Sequence, residues 1–155
     1  MVRKTIINAE EGRQEIFITR EFDLPVELLF KAHVEPEFLS QWMGTRVVKL
    51  ESQPHGGWRF ETSDGKGNVL FSANGVIHQI IANQKIIRTF EMDNVPSEVQ
   101  LEFMDFERLT DEKSKLTIHT IFRSVAIRDR LLAQPFAYGI NMAHDRLEEV
   151  IGKLA

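Results

Sequence analysis

Hydrophobic and polar positions change their period three times along this chain. From Glu15 to Phe22, Ile16, Ile18 and Phe22 alternate with Glu15, Thr19 and Glu21, which predicts a strand with one buried face. Phe17 breaks that pattern on the outer side. Arg20 falls on the inner side, where it needs a partner or a route to water. Asp23-Leu24-Pro25 then marks a helix start, with Val26, Leu29, Phe30 and His33 at helical spacing. Glu35-Pro36-Glu37 starts a second short helix, with Phe38, Leu39 and Trp42 on its apolar side and Gly44 as its stop. The polar residues 1–13 read as a flexible arm.

Between Val47 and Phe122 the period shortens to two. Strands are predicted at Val47–Leu50, Trp58–Thr62, Val69–Ile81, Lys85–Met92, Glu98–Arg108 and Lys115–Phe122. The turns between them are too short for helical crossovers, so neighbours should pair antiparallel. Within this region Val99, Leu101, Phe103 and Asp105 are read as an inward series. Glu91, Glu102 and Glu107 are placed on the solvated outer face, and so is His119 with Thr117 and Ile121.

The period lengthens again at the end. Ser124 can cap a turn or two through Leu132, Pro135 interrupts, and a longer helix runs from Phe136 to Leu154. At about 100° per residue, Phe136, Ile140, Ala143, Leu147, Val150, Ile151 and Leu154 share one face. Asp145, Glu148 and Glu149 lie opposite, Tyr138 and Met142 fall off the stripe, and His144 sits at its boundary. A sheet must cover this last helix, so residues 1–155 are expected to be one α+β domain. It should have a curved antiparallel sheet of six to seven strands around the long C-terminal helix, with two short helices after the first strand.

Composition narrows the chemistry. With 43% hydrophobic and 27% charged residues the chain is ordinary globular material. A net charge of −4, with Lys and Arg scattered, argues against nucleic acid as a partner. There is no cysteine, hence no thiolate chemistry and no disulfide, which suits a cytoplasmic setting. No apolar run reaches the length of a membrane span, and the N-terminal residues lack the apolar stretch of a signal peptide. The five histidines show no ligand spacing, so no metal is expected. The serines lack a nucleophile-elbow context and the glycines a phosphate loop, so no catalytic residue or cofactor is assigned. An enzyme of the cyclase or hydrolase kind would have to draw on Arg20, Asp105 and His144. Eleven Phe against one Tyr and two Trp point to an interior rich in carbon.

The stretches "TREFDLPVELLFKAHVEPEFLSQWMG", "GGWRFETSDGKGNVLFSANGVIHQI", "SKLTIHTIFRS" and "FAYGINMAHDRLEEVIGKL" occur in this order. Together they resemble the homologues of the activator of Hsp90 ATPase, within the START-like and Bet v 1-like (SRPBCC) superfamily. The resemblance implies a helix-grip fold with a hydrophobic cavity between sheet and C-terminal helix. Met142-Ala143 stands where many members carry Gly-Trp.

The expected function is therefore non-enzymatic binding of a small hydrophobic molecule. On strand or helix phase, Trp42, Met43, Trp58, Phe60, Phe71, Phe90 and Phe103 should line the cavity, together with Phe136, Ile140 and Ala143 of the last helix. Tyr138, Met142 and His144 should stand near its mouth. An enzyme acting on a polyketide-like or lipid ligand in the same cavity is one rival. A co-chaperone-like module that contacts a chaperone or other protein is another. Monomer and homodimer both remain open.

Overall fold

The computed structural model describes residues 4–154. The chain runs β1 (Ile6–Asn8), β2 (Glu15–Phe22), α1 (Val26–Val34), α2 (Pro36–Met43), β3 (Arg46–Leu50), β4 (Gly57–Ser63), β5 (Val69–Ile81), β6 (Lys85–Met92), β7 (Gln100–Thr110), β8 (Lys113–Ile121), α3 (Val125–Leu132) and α4 (Phe136–Gly152). The eight strands form one antiparallel sheet in the order β1-β2-β8-β7-β6-β5-β4-β3. This is the helix-grip α+β architecture, with a strand more than the six to seven expected. The extra strand lies inside the segment read as a loose arm: Ile6–Asn8 pairs with Phe17–Thr19, and Thr5 just before it is buried. Residues 1–3 of that arm lie outside the described residues.

Irregular pairing bends the sheet. The register shifts at Val47/Lys49, Thr62/Ser63, Ile77/Gln79 and Arg108/Thr110. Each extra residue increases local twist and curls the strand, so one face becomes concave. Ile16, Ile18 and Phe22 of β2, Trp58 and Phe60 of β4, and Leu116 and Ile118 of β8 line that face as their alternation predicts.

β7 takes the opposite phase to the expected one. Glu102, Met104 and Phe106 are buried, whereas Val99 and Asp105 are exposed. Phe103 pairs in register with His119, and both belong to the convex face, where His119 stacks on Phe17 with centroids 4.2 Å apart. Leu101, Phe103 and Leu109 occupy one phase of this strand and Met104 and Phe106 the other, so periodicity alone could not choose. The pairing with β8 chooses.

The helices close the concave side. Pro25 precedes α1 and its carbonyl accepts from the Leu28 and Leu29 N–H groups. α2 ends at Gly44, which adopts φ 63°, the left-handed conformation glycine takes at no steric cost. Trp42 of α2 donates from Nε1 to the Ala32 carbonyl (2.7 Å), fastening the two helices together. Ser124 caps α3 by accepting from the Ile127 N–H (3.2 Å). α4 is seated on the core through Leu147 and Ile151, with Phe136, Ile140, Ala143 and Val150 packed at its margin. Among the described residues no helix is long and apolar enough to cross a membrane.

Candidate functional site

A cavity of about 120 Å³ opens between α3 and the neighbouring ends of β6 and β7. Its floor comes from alternate residues of adjacent strands: Phe90 and Met92 of β6, Gln100 of β7, and Phe122 just after β8. Phe90 and Gln100 stand opposite each other in the β6–β7 register. Ile127 and Leu131, four apart on α3, form the roof, and Gln134 of the α3–α4 link joins the wall. Arg130 on α3 and Glu98 ahead of β7 meet at the rim, Nη1 lying 3.0 and 3.3 Å from the two carboxylate oxygens. This ion pair joins the helix to the sheet across the opening.

One row deeper in the sheet lies a second ion pair. Arg88 Nε donates to Glu102 Oε1 (2.8 Å), and Gln100 Nε2 donates to Glu102 Oε2 (3.2 Å). The Arg88 guanidinium lies 4.7 Å over the Trp58 ring, and Trp58 is 5.4 Å from Phe90. Trp58 reaches this place because its partner in β5 is Gly75. A Cβ on Gly75 would stand 2.5 Å from the Trp58 indole nitrogen and would overlap the Thr89 carbonyl, to which that nitrogen donates at 3.1 Å. An ion pair on the concave face is costly relative to well-packed carbon. Neither side chain lines the cavity itself, and Gln100, which does, joins the pair to it.

The other end of the concave face is closed by a polar clasp. Asn141 of α4 accepts from the Thr5 N–H (3.0 Å) and donates to the Thr5 carbonyl (3.1 Å), holding the start of β1 like a neighbouring strand. Arg20 donates from Nη1 to Asp145 (2.7 Å) and to Thr5 Oγ1 (3.2 Å). Thr5 Oγ1 also shares a hydrogen bond with His144 Nδ1, 3.0 Å away. Burial holds His144 down at about 3, with the nearby His33 and Arg20 charges adding to the effect, so its ring is neutral. His33, enclosed against Trp42 and Phe106, is likewise lowered to about 4, chiefly by burial.

Of the cavity-lining residues expected from sequence, the structure brings Phe90 to this opening. Trp58 and Phe60 lie buried beside it on the same face, their rings 4.8 Å apart, and Phe71 is partly buried. Phe103 is on the far face of the sheet. Trp42 fills the seam between α1 and α2, and Met43 is 38% exposed at the end of α2. Phe136, Ile140 and Ala143 pack at the edge of the core. Tyr138 and Met142 are exposed on the outer side of α4. His144, expected near a mouth, is only 2% exposed and belongs to the clasp. Arg20 meets Asp145, not Asp105, which faces solvent.

Gln100 and Glu102 escaped the sequence reading because Leu101 and Phe103 drew the phase of β7 the wrong way, and Arg88 of β6 is set by its pairing with Glu102. The phase of β8 already places His119 outward; aligning β7 to it would have turned Phe103 outward and Glu102 inward. Ile127 and Leu131 were within reach, since their spacing behind the Ser124 cap is helical.

The family model for "Activator of Hsp90 ATPase homolog 1-like protein" matches residues 23–152. The chain belongs to this activator-of-Hsp90-ATPase homologue family. Solved structures of the same fold include a protein of Rhodobacter sphaeroides, with TM-score 0.85 and 16% identity over 96% of this chain and 99% of that one. One from Arthrobacter aurescens gives TM-score 0.83 and 15% identity, covering 96% and 91%. One from Mycobacterium smegmatis gives 0.79 and 16%, covering 94% and 95%. No curated protein sequence matches the chain. Its place in the homologue family thus rests on the family model, and the structural neighbours establish the helix-grip fold.

Proposed function

We propose that this chain binds a small, largely apolar molecule in the cleft between its sheet and α3. The observation that carries the reading is the cavity itself. It is floored by aromatic rings, roofed by a short helix, and bridged at the rim by one ion pair. A cavity of about 120 Å³ is well below the roughly 300–1,000 Å³ of sites that enclose drug-sized ligands. An apolar cavity of about 150 Å³ is known to hold a benzene ring. The fitting guest is therefore one ring or a short aliphatic chain, not a lipid or an extended polyketide. Binding without turnover is the simpler chemistry here, because the carboxylate that lines the cavity, Glu98, is held by Arg130, and Glu102 behind it is held by Arg88 and Gln100.

A panel of single-ring and short-chain compounds titrated into isotopically labelled protein tests the reading. Shifts should concentrate at Phe90, Phe122, Ile127 and Leu131. Leu131→Trp, which fills the cavity, should abolish them while the protein still melts cooperatively. A panel that moves no resonance of these residues would reject the proposal.

Contact with a protein partner is a second reading, carried by Tyr138 and Met142, which are 59% and 54% exposed on the outer face of α4. Replacing both by Ser should weaken capture of such a partner and leave cavity binding alone. Unchanged capture would remove α4 from that role.

A further inference from the structure

The polar groups around the cavity define the chemical class of its ligand, an inference that rests on the binding reading above. Four charged side chains stand at or next to the cavity, and each is already matched. Arg130 is paired with Glu98 at the rim, and Arg88 with Glu102 below the floor. A charged guest would have to break one of these pairs and leave its partner unmatched, so the site favours a neutral one.

Three side-chain amides line the cavity, those of Asn94, Gln100 and Gln134, and a neighbouring charge fixes the orientation of the Gln100 one. A carboxylate can only accept, so the Gln100 amide must turn its NH₂ group to Glu102. That fixes Gln100 Oε1 as the free end of a side chain that lines the cavity. Phe90 faces Gln100 across the β6–β7 register, and Phe122 lines the same space. Aromatic surface therefore lies beside an acceptor whose orientation is fixed, in a volume that suits one ring.

We infer that the ligand is a neutral single-ring aromatic carrying a hydrogen-bond donor, of the phenol class, whose hydroxyl donates to Gln100. Without that partner, burying a hydroxyl is unfavourable, and a phenol would bind more weakly than the equal-sized toluene. With it the order reverses, since one hydrogen bond is worth about threefold to tenfold in affinity.

Calorimetric titration of the full chain with phenol, toluene, anisole and benzoate decides the matter. Phenol should bind about threefold to tenfold tighter than toluene. Anisole, which keeps the oxygen but cannot donate, should fall to the level of toluene, and benzoate should be weakest. Gln100→Leu should bring phenol down to toluene while toluene is retained. The anisole comparison needs no variant, so it stands even if Gln100→Leu folds poorly. Phenol and toluene binding alike, or benzoate binding best by displacing Glu98 from Arg130, would overturn the assignment while leaving the cavity as a binding site. Binding by none of the four would overturn the assignment, and the binding reading falls with it when short-chain compounds fail as well.

Discussion

The two ends of the concave face use polar residues in opposite ways. At the clasp, Thr5, Arg20, Asn141 and His144 interlock, and the segment carrying Thr5 covers α4. At the α3 end, Gln100, Glu102 and Arg88 lie next to open volume, and the helix above is tied down by the exposed Arg130–Glu98 pair. Enclosed hydrogen bonds make the first end costly to disturb. The second can be disturbed at little cost, because a solvent-exposed ion pair contributes roughly 0–1 kcal/mol. In one sheet, rigidity and access are divided between its ends.

Acid should break the contrast most strongly. His33 and His144 are held at about 4 and about 3, below the ordinary 6.5, so the unfolded chain takes up protons that the folded chain refuses. Their contribution is complete above pH 6.5 and is lost as pH falls through that value toward 4 and 3. Denaturant melts at pH 5 and pH 7 should differ by about 2 kcal/mol per histidine, near 4 in all. His144→Gln should remove about half of that dependence.

Gly75→Ala comes next. The added methyl displaces Trp58 from the Thr89 carbonyl and should cost about 3 kcal/mol in a urea melt, with a red-shifted tryptophan emission. Asn141→Ala strands the Thr5 N–H and carbonyl and should cost about 2 kcal/mol, with amide exchange rising first in Ile6–Asn8. Smallest in stability is Glu98→Gln, under about 1 kcal/mol. Its effect should appear instead as faster exchange of α3 amides and faster ligand release, while Ile6–Asn8 is unmoved. A loss of stability as large as that of Asn141→Ala would show that the two ends do not differ as described.

Much of the fold was legible because long segments carry one clear period. The alternation of β2, the Pro36-led α2 with its Gly44 stop, and the Ser124 cap each specify an element locally. What escaped depends on partners distant in sequence. A strand of three residues, Ile6–Asn8, is too short to show any period, so the arm concealed it. His144 was misplaced as a consequence: the surface covering that flank of α4 is Thr5, from the segment read as loose. Asp145 is exposed, as its helical phase predicts, but its pairing with the buried Arg20 could not be read from that phase. The site suffered more than the fold, since a one-residue error of phase in β7 moved Gln100 and Glu102 to the wrong side of the sheet.

The rims of the sheet carry a final consequence. Its outermost strands are β1, three residues long, and β3, five residues long, interrupted by a register shift and bearing Arg46 and Lys49. A three-residue border on one side and a short, kinked, cationic one on the other offer an incoming β-strand little backbone to zip onto, which disfavours templated stacking of one copy on another. The long central strands can thus remain hydrophobic without offering a free edge.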